Sequence, residues 1–175
     1  MAGLTPTGPS GEPPARAPEP ITSDHDLSTF ACGRPELDRW LRVHALAGEG
    51  RTARTYVVGV GHKVVAYYCL AAGSVGRQNL VRRMRHGTPE MVPVMVLGRL
   101  ATDTTYQGRG IGKGMLQEAI SRSIAASLSV GMRGILVHPI DGRAAAFYLR
   151  HSFMPSPIDP NTLLLPIEIA IAALK

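Results

Sequence analysis

Hydrophobic and polar positions change rhythm several times along the chain, and each change predicts an element. Leu37, Trp40, Leu41, Ala45 and Leu46 recur at helical spacing, and Pro35 suits a first helical turn, where a missing N–H costs nothing, so a helix is predicted over 35–47. Two β-branched and aromatic runs follow, Arg54 to Val60 and Lys63 to Ala72. Gly61-His62 between them is hairpin chemistry, which predicts paired antiparallel strands. Leu80, Val81 and Met84 then suggest a short helical turn that leaves Arg82, Arg83 and Arg85 pointing outward. Val92 to Ala101 is apolar enough for a central, buried strand.

Ile111, Met115, Ala119, Ile120, Ile124 and Leu128 put one apolar face on a helix predicted from Ile111 to Leu128. Gly131 and Gly134 break the chain before a strand over 135–138. Asp141 can cap a helix over 142–151 by accepting a hydrogen bond from its first turn. Leu163 to Leu165 can form a last strand after the rigid turn Ser156 to Pro160. Ile167 to Leu174 alternates like a strand yet is rich in helix formers, and periodicity leaves it open. The order β-β-β-α-β-α-β predicts an α/β chain of the α+β type, a mixed central sheet flanked by helices.

Composition changes this picture at one end. Residues 1–20 hold six of the 14 prolines and almost no large apolar side chain, which predicts a disordered Pro-rich tail ahead of one domain over 21–175. The 175 residues, 45% hydrophobic, suffice for a single core. Two cysteines, Cys32 and Cys69, make no disulfide framework or metal-ligand cluster, so no metal is expected. No uninterrupted apolar run is long enough to span a membrane, and the N-terminus lacks a signal pattern; a cytoplasmic protein without membrane contact is expected.

The charge of +6 is unevenly spread: between Glu49 and Glu90 no acidic residue occurs, while Arg51, Arg54, Lys63, Arg77, Arg82, Arg83 and Arg85 do. That is a footprint for a polyanion or an acidic partner, or a solvated face that serves a phosphorylated cofactor.

The stretch with the most specific chemistry is Gln107-Gly108-Arg109-Gly110-Ile111-Gly112-Lys113-Gly114, between the predicted central strand and the helix. Glycines there let the backbone approach a ligand and point N–H groups at an anion from a helix N-terminus. A Walker loop needs Gly and Ser or Thr where Gln107 and Gly114 stand, and the dinucleotide spacing G-x-x-G fails at Lys113 and Met115. Q-x-x-G-x-G, read as Gln107, Gly110 and Gly112, does fit, and it resembles the acyl-CoA loop of GNAT acetyltransferases.

Further blocks extend the likeness over roughly residues 17–166. They include Pro18-Glu19-Pro20-Ile21, Cys32-Gly33, Leu37-Asp38-Arg39-Trp40-Leu41, Arg54-Thr55-Tyr56-Val57 and Leu70-Ala71-Ala72-Gly73-Ser74. Val96-Leu97-Gly98-Arg99-Leu100-Ala101, Ala145-Ala146-Phe147-Tyr148 and Pro155-Ser156-Pro157-Ile158-Asp159-Pro160 continue them. Together they resemble the GNAT-type toxins of bacterial type II toxin–antitoxin systems, which N-acetylate aminoacyl-tRNA and so block translation.

The resemblance implies a GNAT fold and acetyl-CoA as donor, with pantetheine along Leu100, Ala101 and Thr102 and pyrophosphate over Arg109 to Gly114. It implies Tyr148 as the acid that meets the departing CoA sulfur; read from its neighbours alone, Tyr148 is a core aromatic beside Phe147. It also implies a ribbon-helix-helix antitoxin and a homodimer. Where the superfamily often carries an Asn ahead of its Ala-x-x-Phe-Tyr stretch, this chain has Asp141, so that contact is not carried over. Arg82, Arg83 and Arg85 are candidates for tRNA phosphates, and Arg99, a cation inside an apolar strand, needs a partner or an acceptor-side role. Two rival readings remain: an acetyltransferase of a small-molecule or protein amine, and a non-catalytic acetyl-CoA-binding module.

Overall fold

The computed structural model describes residues 11–175. Its chain forms two compact units, one running through Leu70 and including Arg99–Glu118, the other made of Ala71–Gly98 and Ala119–Lys175. Among the described residues seven strands hydrogen-bond in the order β1 (Glu19–Pro20), β2 (Arg54–Val60), β3 (Lys63–Gly76), β4 (Met91–Thr102), β5 (Gly134–Val137), β7 (Leu163–Pro166) and β6 (Met154–Pro155).

In the first unit, β1 (Glu19–Pro20) pairs antiparallel with β2 (Arg54–Val60), and β2 pairs antiparallel with the first part of β3 (Lys63–Gly76). Gly61 takes φ +60° in the expected turn, a conformation open to glycine at no steric cost. The predicted helix over 35–47 divides at His44 into α1 (Pro35–Val43) and α2 (Ala45–Gly48). Asp38, buried near the start of α1, accepts the Cys32 N–H at 2.9 Å and ties the preceding Cys32-Gly33 turn to the helix. Ile21, Phe30, Leu41, Ala45, Val57, Val64, Tyr67 and Ala101 close the core of this unit.

The tail boundary expected at residue 20 requires correction. Pro20 lies in β1, where an edge position spares it a donor it lacks, and upstream of it Arg16 N–H donates to Gly59 O at 2.9 Å. Composition favours disorder only while no partner surface offers itself; here the β2–β3 hairpin offers one. The rest of the predicted tail, residues 1–10, lies outside the described residues.

In the second unit, β3 runs on to Gly76, past the predicted end at Ala72, and a 3-10 turn (Arg77–Asn79) leads to α3 (Arg82–Arg85). The strand β4 (Met91–Thr102) begins here and pairs parallel with β5 (Gly134–Val137) at Met95↔Ile135 and Val96↔Leu136. Between these strands runs α4 (Ile111–Ser127), then α5 (Gly142–Leu149) follows β5. Asp141 caps α5 as expected, accepting from Ala144 N–H at 2.8 Å.

The edge strand β6 (Met154–Pro155) pairs antiparallel with β7 (Leu163–Pro166), which pairs antiparallel with β5. At Gly134 a side chain would meet the Leu165 carbonyl oxygen at 2.4 Å, so only glycine permits this approach. The open stretch after Pro166 is α6 (Ile167–Ala173), with Ala170 buried and Glu168 in the first turn bonded to Arg133 at 3.2 Å. The helix predicted through Leu128 ends at Ser127, and Leu128 is 82% exposed rather than packed. Leu80, Met84, Val92, Val94, Leu136 and Leu164 form this unit's core.

Candidate active site

The glycine loop is built from its flanks inward. At its entrance Asp103 ends β4 and caps a short 3-10 turn (Thr104–Tyr106), accepting from Thr105 N–H at 2.9 Å and from Ala31 N–H at 3.0 Å. A buried carboxylate holding two backbone donors is a structural clamp, which removes it as a base candidate. Gln107 follows, and its amide Nε2 donates to Thr102 O at 2.9 Å and Cys32 O at 3.1 Å, stapling the loop to the end of β4. Burial, aided by the Asp38 hydrogen bond, pushes the nearby Cys32 thiol up to about 11, so it is not a nucleophile at neutral pH.

Gly108 and Gly110 take φ +77° and +81°, the left-handed region that other residues reach only with strain. Their backbone turns the chain into α4, whose first regular bond runs from Gly114 N–H to Gly110 O at 3.0 Å. An α-helix leaves its first N–H groups without intrahelical partners, here those of Ile111, Gly112 and Lys113. Ile111 buries its side chain and anchors this end, Lys113 is exposed, and a methyl group at Gly112 would only touch Thr102 Oγ1 at 3.9 Å.

Arg109 is the one loop side chain with an unmet demand. Its Nη2 donates to Thr105 O at 3.0 Å and its guanidinium lies 4.8 Å from the Tyr106 ring centroid, while its Nη1 is buried without a partner among the described residues. A desolvated guanidinium N–H left unpaired is costly unless a ligand oxygen completes it. Two left-handed glycines, the first turn of α4 and this donor make a cradle that fits a phosphate or pyrophosphate.

Upstream in β4, Ala101 is buried, and Leu100 and Thr102 are half-buried. Arg99 finds the partner its position demanded: its guanidinium lies 4.2 Å over the Trp40 ring, which itself stacks on buried Tyr67 at 5.9 Å. Trp40 thus packs half-buried against this unit's core, as its spacing suggested, and also supports a cation on its ring face.

The second unit holds the remaining candidates. Tyr148 is 7% exposed on α5, edge-on to Phe147 at 5.2 Å and Phe153 at 5.3 Å. Arg82 and Arg83 are exposed on α3 as expected. Arg85 is not turned outward: it is half-buried, donating from Nε to Leu80 O at 2.9 Å and from Nη2 to Gln78 O at 3.4 Å. An open cleft beside it is lined by Gly76, Arg77, Gln78, Arg85, Glu90 and Met91. His138 bonds Thr162 Oγ1 at 3.2 Å, a structural use. Among the described residues no group of three His, Cys, Asp or Glu is placed to hold a metal, and no helix is long and apolar enough to cross a membrane.

Sequence reasoning missed Tyr106, whose ring carries Arg109, and the carbonyl of Cys32, which holds Gln107. An aromatic directly before a glycine loop was the available signal for the first. Nothing in the sequence marks a backbone carbonyl 75 residues away as a partner.

The comparisons with known proteins agree with this architecture. Residues 51–155 match the acetyltransferase (GNAT) domain model. A "tRNA-acetylating toxin" of Mycobacterium tuberculosis (strain ATCC 25618 / H37Rv) is 41% identical over 157 residues, 89% of this chain and 95% of that protein. AtaT complexed with acetyl-methionyl-tRNAfMet superposes with a TM-score of 0.85 at 27% identity, covering 92% of this chain and 99% of that one. A tyrosine-to-phenylalanine variant of AtaT, bound to the C-terminus of the antitoxin AtaR and acetyl-CoA, gives 0.77 at 26% identity, over 91% and 97% of the two chains. With the glycine cradle between β4 and α4 and a domain match over most of its length, the chain belongs to the GNAT family of acetyltransferases.

Proposed function

We propose that this protein is a toxin that transfers the acetyl group of acetyl-CoA to the α-amino group of aminoacyl-tRNA, blocking translation in the cytoplasm where charged tRNA is used. The observation that carries this reading is the extent of its likeness to a tRNA-acetylating toxin, 41% identity over 157 residues. Physical chemistry supports the acceptor. An α-amino group with a pKa near 8 is about one-tenth neutral at pH 7, whereas a lysine near 10.4 is neutral at well under about one part in a thousand. The aminoacyl acceptor therefore needs no dedicated base beyond water, and Asp103, the carboxylate at the loop entrance, is committed to backbone donors.

On the donor side, the backbone N–H groups of Ile111 to Lys113 and Arg109 Nη1 supply donors for the pyrophosphate, and Gly108 and Gly110 keep the approach open. Gln107 acts indirectly, by fixing the loop to Thr102. Strand residues Leu100, Ala101 and Thr102 offer main-chain groups to the pantetheine and the oxyanion. The amine nitrogen forms a bond to the acetyl carbon, the carbon–sulfur bond breaks, and the amine's surplus proton leaves to water. Tyr148 is assigned to the departing thiolate. An ordinary phenol gives its proton to a thiolate about 1.5 units uphill, or about 2 kcal/mol, so hydrogen bonding to the developing charge is as useful as full transfer. Arg82 and Arg83 contribute phosphate contacts to the tRNA. Arg99, held over the Trp40 ring, is assigned an acceptor-side role. A ribbon-helix-helix antitoxin and a homodimer complete the reading; light scattering on the isolated protein tests the latter.

Charged tRNA incubated with labelled acetyl-CoA tests the whole. Label on the aminoacyl group is expected. Label only on free amines or proteins would replace the acceptor, and binding of acetyl-CoA without any transfer would make the chain a binding module.

A further inference from the structure

We propose that the segment around Glu12 is a working part of the donor site: Glu12 fixes Tyr106, and Tyr106 presents Arg109 with one guanidinium N–H group reserved for a phosphate. This rests on the reading of the glycine loop as the acetyl-CoA cradle.

Four contacts within one unit carry the inference. The Tyr106 hydroxyl donates to Glu12 Oε2 at 2.6 Å, a short charge-assisted bond across 94 residues of sequence. The Tyr106 ring, 3% exposed, has the Arg109 guanidinium 4.8 Å from its centroid and Lys63 Nζ at 5.8 Å. Arg109 Nη2 is pinned to Thr105 O at 3.0 Å. Its Nη1 is the buried donor left without a partner among the described residues.

Two of these contacts each remove one freedom from Arg109. The ring face sets the plane of the guanidinium and the Thr105 carbonyl sets its rotation within that plane, so Nη1 has one direction left. A carboxylate accepting from the phenol pushes electron density into the ring, which strengthens its hold on a cation. Burial, together with the Glu12 bond, pushes the Tyr106 hydroxyl up to about 12, so it stays a donor throughout the physiological range. A cation oriented in advance binds an anion without spending rotamer entropy at the moment of binding.

Glu12 itself needs an anchor, because residues ahead of a folded domain do not hold a position unaided. Arg16 provides it four residues on. Its backbone N–H donates to Gly59 O at 2.9 Å, and its Nη2 donates to Gly61 O at 2.8 Å and Glu19 Oε1 at 3.0 Å. The tail is thus fastened to the β2–β3 hairpin before it reaches Tyr106. A Pro-rich stretch suits this use, since it loses little chain entropy when held extended.

The test compares acetyl-CoA KM and kcat for the full-length protein and its Glu12→Ala, Tyr106→Phe, Arg109→Ala and Glu12→Ala/Arg109→Ala variants, with direct acetyl-CoA binding by calorimetry. Glu12→Ala and Tyr106→Phe are expected to raise KM and Kd for acetyl-CoA by about three- to tenfold with kcat within about twofold. In the Arg109→Ala background Glu12→Ala should have no further effect, because its action passes through that guanidinium. Glu12 is exposed, so its loss does not threaten folding. An unchanged KM in Glu12→Ala, or an equal effect with and without Arg109, would overturn the inference while leaving the donor site standing. A wild-type protein that fails to bind acetyl-CoA would overturn the donor reading and the inference with it.

Discussion

The glycine loop and the basic stretch from Arg77 to Arg85 both carry cations, but they spend them differently. In the loop, Arg109 keeps one buried donor unspent among the described residues, beside two left-handed glycines. In the basic stretch, Arg85 gives its donors to the Leu80 and Gln78 carbonyls and Arg77 gives one to Thr88 O at 3.3 Å, while Arg82 and Arg83 stand exposed. One region holds an oriented guanidinium beside two left-handed glycines. The other has a turn held together by guanidinium groups and two cations free to lie along a polyanion. Positive charge alone therefore does not identify a phosphate site; an oriented donor with no other use does.

This contrast can be broken at either end. The largest effect is expected for Arg109→Ala, which removes a charged hydrogen bond and should raise the acetyl-CoA Kd by about thirtyfold, or about 2 kcal/mol, by calorimetry. Tyr148→Phe should leave acetyl-CoA binding intact and lower turnover by about tenfold or more, measured as kcat on charged tRNA. Unchanged turnover would return Tyr148 to the aromatic cluster of Phe147 and Phe153 as a packing residue.

Arg85→Ala should cost about 1 kcal/mol in denaturant-induced unfolding, through the lost carbonyl bonds, and change acetyl-CoA binding by less than about twofold. The smallest effect is expected where sequence charge is densest: reversing Arg82 and Arg83 to Glu should raise the KM for charged tRNA by about threefold. It should also flatten the dependence of that KM on salt, while sparing acetyl-CoA. A salt slope unaffected by the double reversal would remove α3 from the RNA surface.

What the sequence made legible follows the same division. The hairpin at Gly61-His62, the strand leading into the glycine loop and the Asp141 cap all have local signals: left-handed turn residues, apolar runs and a short polar acceptor. Those signals act over a few residues, and the elements appeared within a few residues of expectation. The strand at Glu19–Pro20 was hidden because its reason for existing lies on the β2–β3 hairpin, not in its own composition. Leu128 kept the helical period of α4 but fell beyond its end, since periodicity does not say where burial stops.

For the site, glycine spacing named the cradle and ruled out two other phosphate loops. It could not say which of its cations would be left unpaired, because that depends on Tyr106, Thr105 and, through Tyr106, on Glu12. A cation inside an apolar strand calls for a partner or an acceptor-side role, and at Arg99 the Trp40 ring supplies a partner. Helical spacing accounts for the packing of Trp40 on the core but carries no signal for the cation on its other face.

The central claim is the acceptor, and it is tested most directly by following where the acetyl label goes after the ester of the charged tRNA is cleaved. Purified protein, aminoacyl-tRNA and labelled acetyl-CoA are incubated, the tRNA is recovered, and mild base releases its amino acid. The label is expected to leave with the released amino acid as its N-acetyl derivative, and uncharged tRNA is expected to take up none. Label that stays with the RNA after deacylation, or that appears only on other amines, would contradict it.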